Sequence, residues 1–280
     1  MAVEMQQIQY GDHPAQRLLW LPAAPTMTGH GRASVPLLAL VHGGGWVGGA
    51  PDGASYLELM RFGLARGWAT ASIGYRLAPG VRFPAPSDDV ATALHWLTQH
   101  AGDLGWSGRR PWLLGSSAGA NLAALVALQA AQRERPAVGG VITVALPADF
   151  RPRMDPDPFA QKADDPALLA YLGHSPYDDP VRAAAASPQA LVHQQAPPFM
   201  VVHSRRDPRV DARCSLGFVR ALRRHGVPVW TRVFTERGHS LALALPTLCG
   251  HVGEFLTTFD ERFGTFDGQR NRLQWPTPTA

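Results

Sequence analysis

Trp112-Leu113-Leu114-Gly115-Ser116-Ser117-Ala118-Gly119-Ala120-Asn121-Leu122-Ala123 runs from a short apolar segment, through a serine set between glycines, into a stretch rich in Ala and Leu. Gly115-Ser116-Ser117-Ala118-Gly119 is a G-x-S-x-G sequence, and its register is fixed, because centring on Ser116 would require glycine where Leu114 stands. A strand before and a helix after are the context in which such a serine is lifted above a sheet edge, with the glycines permitting a tight turn. The helix aims its first N–H groups at the place where an oxyanion would develop. The plainer reading, a glycine-rich turn in which Ser117 merely caps a helix, does not account for the strand in front of it.

Outward from that turn, apolar runs of strand length alternate with stretches of helical period, the pattern of an α/β protein with a central, mostly parallel sheet flanked by helices. Strands are expected at 36–41, 69–75, 112–115, 141–146, 199–203 and 229–234. Helices are expected at 55–66, 87–100, 118–132, 211–225 and within 241–263. Ser87, Asp88 and Asp89 suit the start of the second helix, because their oxygens accept orphan N–H groups. Residues 148–198 break the alternation: they hold nine of the 25 prolines, with Asp-Pro pairs at Asp155, Asp157, Asp165 and Asp179, and read as a small Pro-rich cap insertion. The tail 267–280 has no periodicity and is expected to be disordered, leaving residues 1–266 as one domain.

Composition agrees with that organisation. A chain of 280 residues, 45% hydrophobic and 17% charged, buries a full core and is not disordered. Lys162 is the single lysine among 26 basic residues, and the net charge is +4. The arginines are scattered (Arg61, Arg109, Arg133, Arg223) rather than gathered into a stripe, which argues against a nucleic-acid partner. Cys214 and Cys249 lie outside any Cys-x-x-Cys pattern, so neither a metal site nor a disulfide framework is expected. A reducing compartment fits. No apolar stretch reaches 18 residues and no basic segment leads an apolar run near the start, so no membrane association and a cytoplasmic location are expected.

His42-Gly43-Gly44-Gly45-Trp46 follows the strand at 36–41, 75 positions before Ser117. Consecutive glycines let backbone N–H groups approach a substrate oxygen closely. A phosphate cradle is disfavoured, because the dinucleotide pattern needs a helix opening at once and no G-x-x-x-x-G-K-[ST] occurs. A serine hydroxyl needs a base, and among 11 histidines chain position selects His239, in the loop after the last strand. His251 falls in the final helical pattern, while His203 and His225 end a strand and a helix. For the acid, Asp207 follows the strand at 199–203. Asp211 is the runner-up for the acid, with a helix cap as its other reading, and Glu236 reads as a solvated partner for Arg232 or Arg237.

With these residues assembled, the chain resembles the α/β-hydrolase superfamily, in its esterase branch with an HGGG loop, over residues 8–262. Tyr75-Arg76-Leu77-Ala78-Pro79, Phe83-Pro84-Ala85-Pro86 and Asp89-Val90 are similar to the hormone-sensitive-lipase-like carboxylesterases. Tyr10-Gly11, Ser117 to Ala123, Ser187-Pro188 and Asp207-Pro208-Arg209-Val210 are similar to the kynurenine-formamidase and feruloyl-esterase-like group. The resemblance implies an α/β-hydrolase fold and a serine carboxylesterase acting on a small ester, with no cofactor. It implies Ser117 as nucleophile, His239 as base and Asp207 as acid, with the N–H groups of Gly44, Gly45 and Ala118 as oxyanion hole. Trp46, Ser116, Phe159 and Arg206 are candidates for the substrate pocket. An arylformamidase using the same residues, or a non-catalytic ligand binder on the same scaffold, are the alternatives.

Overall fold

Leu37–Val41 (β5) is apolar at every position and buried at every position, as a parallel strand covered on both faces must be. Its side chains alternate between two cores. Leu37, Ala39 and Val41 join one apolar cluster, and Leu38 and Leu40 the other, the period of two that a strand imposes. The computed structural model describes residues 4–23, 27–28, 31–32, 35–130, 137–152, 164–235, 238–239 and 248–256.

Around β5 stand β1 (Gln6–Gln9), β2 (Arg17–Leu21), β6 (Ala69–Ile73), β7 (Trp112–Ser116), β8 (Gly140–Val144), β9 (Phe199–Ser204) and β10 (Val229–Phe234). Together they form an eight-stranded sheet in the order β1-β2-β6-β5-β7-β8-β9-β10. β2 runs antiparallel to β1 and β6, and the remaining neighbours are parallel. Two two-residue strands, β3 (Met27–Thr28) and β4 (Gly31–Arg32), pair apart from it. β1 and β2 precede the first strand expected from the sequence. Only Leu18 to Leu21 of that hairpin are deeply buried and β1 faces solvent, so its apolar run is too short to stand out.

The helices are α1 (Ala54–Leu64), α2 (Ala85–Gln99), α3 (Ala101–Leu104), α4 (Ala118–Gln129), α5 (Pro166–Leu172), α6 (Pro180–Ala185) and α7 (Ala212–Arg224), and residues 248–256 form α8. α4 is buried along its whole length, which is why its sequence shows almost no polar face. Leu59 and Met60 of α1 and Val252, Phe255 and Leu256 of α8 cover the face of the sheet opposite α2 and α4.

One expectation needs correction. Ser87, Asp88 and Asp89 do not cap α2, whose N-cap is Pro84. The Ser87 hydroxyl donates to Pro84 O at 2.7 Å. Asp89 is buried and takes the Arg76 guanidinium in a two-pronged pair, with Nη2–Oδ1 at 2.7 Å and Nε–Oδ2 at 2.8 Å. The Asp-Pro pairs also have a positive structural role. Asp165 accepts from the N–H groups of Ala167 and Leu168, and Asp179 from that of Arg182. Each Asp is an N-cap with proline at the first helical position, where a missing N–H costs nothing. Leu168, Tyr171 and Leu172 of α5, with Ala183 of α6, are fully buried in the same cluster as α2 and α4. Asp155, Asp157 and the tail 267–280 lie outside the described residues, as do residues 131 and 132 of the helix expected to reach 132.

Candidate active site

The carboxyl ends of β5, β7, β9 and β10 converge on one edge, where ligands of open α/β sheets bind. β7 ends at Ser116, Ser117 has φ 54° and ψ −120°, and α4 begins at Ala118. A positive φ at a non-glycine residue costs on the order of 1–3 kcal/mol. The turn is held by Ser117 N donating to Val144 O at 2.8 Å and Asn121 N to Ser117 O at 3.1 Å. Gly119 cannot carry a side chain, because its Cβ would run into the carbonyl oxygens of Val41 and His42. The second glycine of the motif therefore lets α4 start against the end of β5, beside the glycine loop.

His239 bridges the serine and the acid. Its Nε2 lies 2.9 Å from Ser117 Oγ, and its Nδ1 lies 2.8 Å from Asp207 Oδ2 and 3.0 Å from Oδ1. A carboxylate only accepts, so Nδ1 carries the proton, and in the neutral ring Nε2 presents a lone pair to the serine hydroxyl. The Asp207 carboxyl is fully covered, with 0% side-chain exposure. Burial alone would raise its pKa, but hydrogen bonds from His203 and His239 and from the backbone N–H groups of Val210 and Arg209 hold it well below the usual carboxylate range. The two backbone donors reach Oδ1 at 3.0 and 2.8 Å. Asp207 thus stays an anion beside the imidazole.

The glycine loop is built from behind. Gly44 has φ +125°, and a Cβ there would collide with the Gly48 carbonyl, so only glycine takes this turn without strain. Gly43 N donates to the Tyr56 hydroxyl at 2.8 Å, and the Tyr75 hydroxyl donates to His42 O at 2.8 Å. His42 stacks on Tyr75 at 4.2 Å and donates from Nδ1 to Gly43 O at 2.9 Å. Burial pushes its pKa down to about 4, outweighing the contact with Gly43 O. Ala78 N donates to Trp46 O at 2.9 Å, and Ala78 lies just past Arg76, which Asp89 anchors. Among the described residues, the amides of Gly44, Gly45 and Ala118 donate to no protein group.

The pocket candidates separate. Trp46 is 2% exposed, stacked on Tyr171 at 4.5 Å and edge-on to Phe150 at 5.7 Å, so it ties the glycine loop to α5 and the segment after β8. The Ser116 side chain bonds to the Tyr56 hydroxyl. Arg206, like Arg205 and Arg209, is exposed on the loop that carries Asp207. Phe159, Glu236 and Arg237 lie outside the described residues. Asp211 caps α7 by accepting from Arg213 N, and His251 sits on α8 beside Glu254 at 3.8 Å. Sequence alone assigned no site role to His203, Tyr56 or Tyr75, which all touch the groups above. For His203 the available signal was its place four residues before Asp207 at the end of β9. Among the described residues, no group of three or more His, Cys, Asp and Glu side chains could hold a metal ion.

The BD-FAE family model matches residues 26–222. The chain belongs to the BD-FAE family. The matched span contains the glycine loop, Ser117 and Asp207, while His239 lies beyond it. This BD-FAE member is 32% identical over 275 residues to the esterase LipQ of Mycobacterium tuberculosis, a match that takes in 96% of this chain and 64% of LipQ. The chain therefore spans less than two thirds of that relative's length. Among solved structures, a truncated carbohydrate esterase from gut microbiota superposes with a TM-score of 0.77 at 15% identity, covering 91% of this chain and 95% of the other. A bacterial heroin esterase superposes with a TM-score of 0.73 at 25% identity, covering 92% and 84%. The architecture is the α/β-hydrolase fold. No helix among the described residues is long and apolar enough to cross a membrane.

Proposed function

We propose that this chain is a serine carboxylesterase that hydrolyses a small ester through an acyl-enzyme. The observation that carries the reading is the continuous line from Ser117 Oγ through both nitrogens of His239 to Asp207 Oδ2, at 2.9 and 2.8 Å. In this mechanism Ser117 Oγ attacks the ester carbonyl carbon while His239 Nε2 takes the hydroxyl proton. Asp207 fixes the tautomer and stabilises the imidazolium that forms. The N–H groups of Gly44, Gly45 and Ala118 hold the tetrahedral oxyanion, a site where each well-placed donor is worth roughly 3–4 kcal/mol of barrier. His239 then protonates the leaving alcohol. Water, deprotonated by the same imidazole, releases the acid and restores Ser117. The esterase relatives favour an ester over the N-formyl bond of an arylformamidase. Residues 148–198, which include α5 and α6, act as a cap on the single domain, and the free thiols Cys214 and Cys249 suit a cytoplasmic setting.

The test is turnover of p-nitrophenyl acetate, butyrate and octanoate beside N-formylkynurenine, with Ser117→Ala as control. The reading expects ester hydrolysis that the control abolishes. Faster turnover of the formamide would replace it with the arylformamidase reading.

A further inference from the structure

Asp207 is flanked by two histidines, and the mechanism above uses one. On the side away from His239, His203 at the end of β9 is 1% exposed, with Nε2 lying 2.9 Å from Val210 O and 3.4 Å from Asp207 Oδ2. Both neighbours are acceptors without hydrogens, so Nε2 carries a proton, which bonds to Val210 O and stands beside Asp207 Oδ2. Its other nitrogen, Nδ1, lies 2.6 Å from Ser215 Oγ on α7, and that hydroxyl lies 3.2 Å from Leu146 O. The Ser215 contact fixes the plane of the ring, and the Val210 contact fixes the turn after Asp207.

These contacts close a loop. Val210 O accepts from His203, while Val210 N donates to Asp207 Oδ1 at 3.0 Å. His203 therefore acts on the acid twice, through its own N–H toward Oδ2 and through the turn that supplies Oδ1 with its donors. Oδ2 faces only the two histidine N–H groups among the described residues. The ionisable groups against the carboxyl are thus His203 from β9 and His239 from the loop after β10, with Arg205, Arg206 and Arg209 exposed on the loop itself.

Resting on the esterase reading, we propose that His203 is a positioning residue for Asp207, clamped by Ser215, that keeps the carboxylate ionised and aimed at His239. It touches neither substrate nor the serine. Without it the buried carboxylate loses a donor on Oδ2 and binds a proton more readily, so the acid limb of kcat/KM, which reports the Asp207–His239 pair, moves to higher pH. Asp207 is held low with His203 first among the groups that lower it, which agrees in direction.

The experiment compares wild type with His203→Leu, His203→Gln and Ser215→Ala on p-nitrophenyl acetate across pH, together with the low-field proton resonance of His239 Nδ1–H. We expect His203→Leu to lower kcat by about tenfold or more with KM within about twofold, on the scale of a misplaced catalytic group. Its acid limb should rise and its low-field resonance should move. His203→Gln, which restores an N–H near Nε2, should recover most of the rate, and Ser215→Ala should shift the acid limb in the same direction by less. A folded His203→Leu protein with wild-type kcat and an unmoved limb overturns the proposal, as does equal loss in the Leu and Gln variants with no change in the limb. Should the Leu variant not fold, an acid limb unchanged in both other variants overturns it. If wild type hydrolyses no ester, the esterase reading falls by itself. The resonance then decides for His203, because that hydrogen bond exists without turnover.

Discussion

Replacing Asp207 by Asn changes one atom of the site and should reverse its proton order. Oδ1 accepts two backbone N–H groups, from Arg209 at 2.8 Å and Val210 at 3.0 Å, so the amide oxygen of Asn must take that position. Its NH2 group is thereby forced into the place of Oδ2, 2.8 Å from His239 Nδ1 and facing the His203 N–H. Two donors cannot bond to each other, so Nδ1 must give up its proton and accept, and the proton moves to Nε2, which then points at Ser117 Oγ with no lone pair to offer. A base in the wrong tautomer costs about 10⁴-fold in kcat, equivalent to roughly 5 kcal/mol of barrier. The residue keeps its volume and its two backbone donors, so the fold should stand. Steady-state kinetics on p-nitrophenyl acetate, with circular dichroism to confirm folding, measures it. A folded Asp207→Asn enzyme within about tenfold of wild-type kcat would refute the tautomer argument and the role given to Asp207.

Gly44→Ala should lower kcat by about 10²–10³-fold, the cost of losing an oxyanion donor, because the new Cβ meets the Gly48 carbonyl and turns the loop. Thermal melting checks that the protein stays folded, and unchanged kcat would remove Gly44 N from the site. His42 gives a pH dependence of stability. Its folded pKa of about 4 is depressed below the unfolded value of 6.5, so the unfolded chain binds the proton first; this stabilisation is complete above pH 6.5 and is lost as pH falls toward 4. The linkage amounts to roughly 2.5 kcal/mol between pH 8 and pH 4.5. Urea titrations at the two pH values should show that loss in wild type and a smaller one in His42→Gln. Equal losses would mean His42 is not buried as a neutral ring.

The fold was legible wherever one strong signal marked an element. β5 and β8 are apolar or β-branched runs, and the strand–turn–helix around Ser117 follows from its two glycines. The first hairpin was not legible, since β1 is exposed and has no apolar face to announce it. Asp89 illustrates a second limit. An Asp near a helix start is a cap by propensity, but the partner that claims it, Arg76, is 13 positions away and is found only in three dimensions. Ser117, His239 and Asp207 were legible because chain order along the sheet edge constrains which loops meet there. For His203 the sequence offered only its place four residues before Asp207, and the contacts that distinguish it form when α7 brings Ser215 against one face and the acid turn closes on the other. The arginines that colour the composition resolved into local roles: Arg76 anchors Asp89, Arg151 pairs with Asp149 at 2.8 Å, and Arg205, Arg206 and Arg209 stay exposed beside the acid.

The central claim is that Ser117 is an activated nucleophile. Incubating the protein with a fluorophosphonate probe, then locating the adduct by mass spectrometry of the peptide that spans Gly115 to Gly119, tests it most directly. One covalent adduct is expected on Ser117 and none on Ser116, with its loss in Ser117→Ala. A folded protein that leaves Ser117 unlabelled would contradict it.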